Sequence, residues 1–433
     1  MDSLNQSDNL DATAAHNHGD NDFYQHPDDH DNGSEYDDAY DGDEQYDNAP
    51  YDGEGGGPPE GADVDSSLGD GDDDEEKLLA KLEELEGYAF PKLADPEEDT
   101  TGRAAYIEAC KRLDGGRDVV LTFPVEAVLD KMDKEELVLD HVGLRDRGAE
   151  ALSEALMVAH HVTALSLAHN HIGPSGAEHI LAACLHSKNI TILDLSNNVL
   201  GRNAALSPEG GIGYMLKQFI TRNNTVVQLY LQGNAIGDND ATHIAEAVVS
   251  NHTLQKLDLS YNNLHYRGAQ AVASMLHNSY ELTDINLSWN RFQSSGCLVI
   301  LKEGLLQNNT IKTFGLAWNG LDDEGAALVG KVIQENAIEE IDISHNRVTP
   351  IGADKIAAGI VGSSSLVSLN LDDNPLRDEG CAVIIRSLRD NSTVQSVRLL
   401  QTGCGRKALE EATQTLRQRQ NIELLVPERI ALA

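Results

Sequence analysis

Basic residues are absent from the start of this 433-residue chain: its first Lys or Arg is Lys77. Residues 1–76 hold 26 Asp and Glu with no base against them. Phosphate recognition needs a basic footprint, so direct nucleic-acid binding is excluded as an expectation. An anionic membrane surface would repel the same segment. Apolar runs long enough to span a bilayer are also missing, since a spanning helix needs roughly 20 residues. Cysteine is sparse, with five residues at 110, 184, 297, 381 and 404 and no C-x-x-C spacing. That excludes a disulfide framework and predicts reduced thiols in an intracellular chain. The opening MDSLNQSDNL has neither a basic start nor an apolar core, so a cytoplasmic, non-secreted protein is expected. In that setting the N-x-[ST] sites at Asn189, Asn223, Asn251, Asn308 and Asn391 are not expected to carry glycans.

Catalytic signatures are missing too. There is no P-loop, no G-x-S-x-G and no H-E-x-x-H, and GGIG at 210–213 does not fit a dinucleotide fingerprint. Asp28 to Gly33 begins like a calcium loop, but His30 and Ala39 occupy ligand positions. The expectation is therefore a non-enzyme with no catalytic residue, no metal site and no cofactor.

The formal charge of -40 comes from 72 acids against 32 bases and is unevenly distributed. Residues 1–100 hold 33 acids and three Lys, while the other 333 hold 39 acids and 29 bases, an ordinary balance for a folded body. Residues 1–76, rich in Asp, Gly and Tyr, are expected to be a disordered acidic arm. Residues 77–99 are expected to form a short amphipathic helix and linker, in which Leu78, Leu79, Leu82 and Leu85 would share a face.

Periodicity dominates the rest. The pattern L-x-L-x-x-N-x-[apolar] places Asn at 170, 198, 234, 262, 290, 319, 346 and 374. Two further registers carry Val142 and Thr402 at that position, as suits end caps. Successive spacings are 28, 28, 36, 28, 28, 29, 27, 28 and 28 residues. The L-x-L segment reads as a short strand with Leu inward. The Asn amide can satisfy backbone groups left unpaired by the turn. A small pair such as Gly176-Ala177 or Gly352-Ala353 lets a helix approach its neighbour, and the remainder of each unit has helical periodicity. The long unit carries an insertion, GRNAALSPEGGIG at 201–213. The units make an α/β solenoid of about ten βα repeats.

These motifs resemble the ribonuclease-inhibitor class of leucine-rich repeats, across residues 137–420. The stretch TTGRAAYIEACKRL, together with LSWNRF and LAWNGL, also resembles the leucine-rich-repeat-containing protein 74 family. The resemblance implies a horseshoe solenoid with a helical lead-in over 100–136 and a tail at 421–433, in an intracellular protein without assigned enzymatic chemistry.

In such a horseshoe the outward strand residues tile the concave face. Tyr261, Trp289, Trp318 and His345 fall in four consecutive units, immediately before the Asn. Both Trp of the chain are among them. Exposed contiguous aromatics mark interfaces, though the same rings can pack to support the ladder. Tyr230, Asp258, Asp342 and Asp373 lie on the same face, which Asp194, Asp258, Asp342, Asp372 and Asp373 make mildly acidic, and this favours a basic protein surface as partner. The expected protein is a monomeric interaction scaffold. An alternative is a regulator of a small GTPase, because Ran GTPase-activating proteins use similar repeats with an acidic segment. There that segment follows the repeats, whereas here it precedes them. Residues 376–433, with nine bases against seven acids, offer a surface onto which the arm could fold.

Overall fold

The computed structural model describes residues 99–115, 123–201, 211–419 and 421–426. The readings made on the acidic arm, on the Leu-faced helix, on the body of the insertion and on the last residues lie outside the described residues.

Each L-x-L segment forms a three-residue strand: β1 Glu136–Val138, β2 Ala164–Ser166, β3 Ile192–Asp194, β4 Gln228–Tyr230, β5 Lys256–Asp258 and β6 Asp284–Asn286. β7 Thr313–Gly315, β8 Glu340–Asp342, β9 Ser368–Asn370, β10 Ser396–Arg398 and β11 Glu423–Leu425 continue the series. They form one parallel sheet in strict sequence order. Register is set by the apolar centre of each strand: Leu137, Leu165, Leu193, Leu229 and Leu257 pair in turn. Those centres are buried, while the flanking residues of most strands are half-exposed. One face of the sheet is thus core and the other is open.

Ten helical segments cover the core face: α3 Arg145–Leu156, α4 Pro174–Ser187, α5 Gly211–Arg222, α6 Asp238–Ser250, α7 Tyr266–Asn278, α8 Gln293–Val299, α9 Asp323–Glu335, α10 Pro350–Gly362, α11 Arg377–Ser387 and α12 Arg406–Gln418. Ahead of β1 stand α1 Arg103–Asp114 and α2 Val125–Leu129. Asp99 caps α1 through the N–H groups of Gly102 at 3.0 Å and Ala104 at 2.9 Å. Tyr106, Ala109 and Cys110 of α1 then close the apolar end of the stack.

The capping logic also runs between units. Asp323 in the first turn of α9 accepts from the N–H of Thr349 at 2.8 Å and of Gly352 at 3.0 Å, at the start of α10. Asp378 of α11 does the same for Gly405 and Ala408 of the next helix, both at 2.9 Å. Asp146 and Asp238 repeat the contact to Gly173 and His265. A carboxylate at a helix N-terminus satisfies orphan donors and meets the positive end of the dipole. Part of the body's acidity is therefore spent on joining its repeats.

Irregular spacings have local causes. The 29-residue unit absorbs its extra residue in a π-turn, Ile300–Gly304, followed by a tight turn at Leu305–Gln307. The 27-residue unit is shortened after α9: four residues lead from Asn336 to Glu340, where five lead from Asn308 to Thr313. Repetition also extends further than the sequence pattern. Residues 421–433 read as a tail, yet Glu423–Leu425 pairs with β10 as an eleventh strand. No Asn follows it in the sequence, so the signature of a unit is missing there.

Candidate functional site

The open face of the sheet is organised by two rows. The first holds Ser166, Asp194, Tyr230, Asp258, Asn286, Gly315, Asp342 and Asn370, in register across the strands. Its carboxylates are engaged rather than free. Asp258 is 9% exposed and accepts from the Ser260 N–H at 2.8 Å, the Ser260 hydroxyl at 2.6 Å and the Asn286 amide at 3.1 Å. Asp342 accepts from the Ser344 N–H at 2.9 Å and the Asn370 amide at 3.1 Å. Burial holds Asp194 above the usual carboxylate range, against the Ser196 hydrogen bonds that lower it. Tyr230 donates to Gln228 at 2.8 Å, and the Lys256 ammonium lies 5.2 Å from its ring centre. The buried position of Asp258 departs from its assignment to an accessible acidic face; the chain turns its carboxylate onto its own backbone.

The second row is His169, Asn197, Gly233, Tyr261, Trp289, Trp318, His345, Asp373 and Gln401. The sequence places these side chains on the strands; the structure places them beyond, on the turns that leave the strands. Every one is in the left-handed region, with φ between 53° and 67°. Such φ values are uncommon for bulky side chains. They are sustained here by a continued ladder: Trp289 N–H donates to the Ala317 carbonyl at 2.8 Å and His345 N–H to the Asp372 carbonyl at 2.8 Å. At Gly233, φ is 67° and a Cβ would lie 2.3 Å from the Asn197 amide oxygen, so glycine interrupts the row.

Beyond that gap the rings form one continuous stack. Tyr261 and Trp289 have centroids 4.7 Å apart at 15°, Trp289 and Trp318 4.1 Å at 23°, and Trp318 and His345 4.5 Å at 17°. The shared left-handed turn gives the four side chains one orientation, and the strand repeat of about 4.8 Å sets their separation. Their faces are turned to one another along the stack. Tyr261, Trp289 and Trp318 remain 45%, 38% and 42% exposed. Asp373 stands after the stack, its carboxylate 3.4 Å from His345 Nε2. Alongside runs a cleft of about 460 Å³ lined by Trp318, His345, Asp373, Gln293, Gly320 and Arg347, with ladder Asn residues at its floor. Gln293 and Arg347 were not expected there from the sequence, because they follow the Asn in turns that vary between units. His141 and His169 form a second stack at 4.1 Å, and His169 is pushed below its ordinary pKa first by burial and then by His141.

Beneath these rows lies the Asn ladder. Asn262 shows the full set: its oxygen accepts from the N–H of Asn234 and Ile236, both at 3.0 Å, and its amide donates to the Leu231 carbonyl at 3.0 Å. Asn198 and Asn346 make the same two-donor contact to Asn170 with Ile172, and to Asn319 with Leu321. Asn170, Asn234, Asn290 and Asn374 each donate to the preceding unit and accept one N–H from it. Asn319 donates to Leu287 at 2.9 Å, but its buried oxygen has no partner.

A second ladder runs along the helix C-termini, and sequence reading passed over it. Asn251 donates to the carbonyls of Ile220 and Asn223 at 2.7 and 3.0 Å and accepts from Thr253 and Leu254 N–H groups. Asn308 and Asn391 repeat this, each with a Thr two residues on. The N-x-T motifs at 251, 308 and 391 are thus buried Asx turns that end a helix and start the next strand. Their period in the sequence was the available signal.

Among the described residues no three His, Cys, Asp or Glu gather so as to hold a metal ion, and no helix is long and apolar enough to cross a membrane. The family model described as Leucine Rich repeat matches residues 158–181, 222–245, 250–273, 307–330, 337–357 and 362–384. RAN GTPase-activating protein 2 of Arabidopsis thaliana is 36% identical over 72 residues, which are 16% of this chain and 13% of that protein's length. A solved structure of Leiomodin-1 Actin-Binding Site 2 aligns with TM-score 0.29 and 18% identity, covering 34% of this chain and 90% of the other. The tropomodulin C-terminal domain of Caenorhabditis elegans aligns with TM-score 0.31 and 14% identity, over 35% and 92%. The matched segments each join a strand to its helix in the same register, and these βα units are leucine-rich repeats.

Proposed function

We propose that the chain is a non-enzymatic, monomeric, cytoplasmic scaffold that binds a protein partner on the open, concave face of its sheet. The observation that carries this reading is the four-ring stack of Tyr261, Trp289, Trp318 and His345, held half-exposed beside a cleft. A row of half-exposed, stacked aromatic rings offers apolar area at little entropic cost, the chemistry of binding hot spots. Asp342 and Asp373 flank it, and a partner with a basic surface fits that charge. The test is affinity capture with the full chain and with Trp289→Ala/Trp318→Ala. The reading expects a set of bound proteins that is lost in the variant while circular dichroism stays native. An unchanged set would remove the stack as the interface.

A second reading, regulation of a small GTPase, is favoured by the local match to the Ran GTPase-activating protein. GTP hydrolysis by a panel of small GTPases, with and without the full chain, separates the two. No acceleration anywhere in the panel would sink the second reading.

The arm folding onto residues 376–433 is disfavoured by side-chain pairing there. Arg386 and Arg389 share Glu411, Arg398 holds Asp372, Arg406 holds Glu410 and Lys407 holds Glu379. Five of the nine bases there thus already hold carboxylates, two of them sharing one.

A further inference from the structure

Four of the five cysteines are buried in helices and the fifth in a turn. Cys110, Cys184 and Cys297 are buried in helices, and burial pushes their thiols up to about 11, 12 and 12. The last two differ. Cys381 lies in α11, while Cys404 lies in the turn after β10, at the apolar position of the final Asn-type register. Both sulfurs contact one hydroxyl: Thr402 Oγ1 is 3.2 Å from Cys381 Sγ and 3.3 Å from Cys404 Sγ.

Repeat geometry explains why the pair exists only here. The small residue after the helix Gly faces the apolar turn residue of the next unit: Ala326 pairs by register with Val348, and Ala353 with Leu376. Cys297 occupies that small position too, but its counterpart is Leu321, and its sulfur turns to the Asn319 carbonyl at 3.6 Å. At the last junction both positions are Cys, and the ladder Asn between them is replaced by Thr402.

We propose that Cys381 and Cys404 form an oxidisable dithiol, with Cys404 the attacking thiol and Cys381 the resolving one, closing to an intrachain disulfide under a peroxide oxidant. Cys404 is the more accessible, at 9% exposure against 0%. Hydrogen bonding from Cys381 holds it below the ordinary thiol value; burial opposes this, and the Thr402 hydroxyl assists it. In the first step the Cys404 thiolate attacks one peroxide oxygen, the O–O bond breaks, and a sulfenic acid and hydroxide result. In the second the Cys381 sulfur attacks the Cys404 sulfur, the S–O bond breaks, and water leaves with the Cys381 proton. Two thiols lose two electrons and one peroxide becomes two waters. The crosslink would tie α11 to the turn beyond β10, at a junction that lacks its Asn.

The test uses the full chain, folded, treated with hydrogen peroxide, then freed of oxidant, denatured and assayed for thiols and by peptide mapping. Two of the five thiols should disappear, and one crosslinked peptide should join Cys381 to Cys404. Cys297→Ser should leave that loss unchanged. Cys404→Ser should abolish it. Cys381→Ser should instead leave Cys404 as a sulfenic acid captured by dimedone, which keeps the test open if Cys404→Ser folds poorly. Retention of all five thiols, a crosslink to another cysteine or between chains, or over-oxidation of Cys404 without a crosslink would each overturn the proposal.

Discussion

Trp289 and Trp318 face one another with centroids 4.1 Å apart and planes inclined by 23°. This is the tightest contact in the Tyr261–His345 stack, and the chain has no third Trp. The full chain should therefore give an exciton couplet in circular dichroism that disappears in both Trp289→Phe and Trp318→Phe. A couplet that survives either change would show that the indoles do not stack in solution.

The same contact has an energetic consequence. Aromatic pairs contribute about 0.5–1.5 kcal/mol beyond area burial. Trp318→Ala loses two partners, Trp289 and His345, and should cost about 1–3 kcal/mol on that scale. A double-mutant cycle with Trp289→Ala should return a coupling near one pair's worth, because the left-handed backbone of both turns is held by its own ladder. Zero coupling would mean that the rings only lie near one another. Global unfolding on truncation would assign them to the core.

The Asn ladder predicts unequal costs at equivalent positions. Asn262→Ala strands the N–H groups of Asn234 and Ile236 inside the stack and should cost about 2–5 kcal/mol. Asn319→Ala removes an oxygen that accepts nothing, so its cost should be smaller. Hydrogen exchange at the Asn234 and Ile236 amides is the local readout, and urea unfolding the global one. Equal costs would contradict the hydrogen-bond pattern.

How much of this was legible beforehand depends on how strongly each feature repeats. The strand register and the ladder positions were readable because a buried Leu pair and a buried Asn recur with nearly fixed spacing. The left-handed turn at Tyr261, Trp289 and Trp318 was not, because position relative to Asn does not reveal φ, and bulky residues rarely adopt that conformation. Gly233 in the same row was the one sequence hint. The acids misled for a related reason: composition counts carboxylates, but Asp258, Asp323 and Asp378 are consumed by backbone N–H groups in their own or the next unit. The Asn-x-Thr period at the helix ends was visible yet was weighed only as a modification motif.

Capping between units makes part of the stability depend on pH. Burial tends to raise the Asp378 pKa, but the N–H groups of Ala408, Lys407 and Gly405 outweigh it, so the folded value lies below the ordinary 3.8. A depressed folded pKa means a contribution that is complete above the ordinary value and lost as pH falls through the folded one. Wild type should exceed Asp378→Ala in stability at neutral pH, by about 0.5–2 kcal/mol on the helix-cap scale. The difference should shrink as acid protonates Asp378. A gap that is constant down to the acid transition would mean that the carboxylate charge plays no part.

The closest helix approach gives the sharpest steric prediction. Gly330 of α9 and Gly359 of α10 face each other, and a Cβ on Gly359 would lie 2.2 Å from the Gly330 carbonyl oxygen. A Cβ on Gly330 would lie 2.4 Å from the Lys355 carbonyl oxygen. In both cases the obstacle is backbone, which cannot rotate away as a side chain can. Neither glycine has a positive φ, so alanine would be conformationally acceptable and even favoured by helix propensity at an exposed position. Overpacking of this kind typically costs about 1–3 kcal/mol. Gly359→Ala should therefore lower the unfolding midpoint, whereas the exposed Ser274→Ala on α7 should leave it nearly unchanged. A midpoint raised by Gly359→Ala would show that α9 and α10 stand further apart than this packing requires.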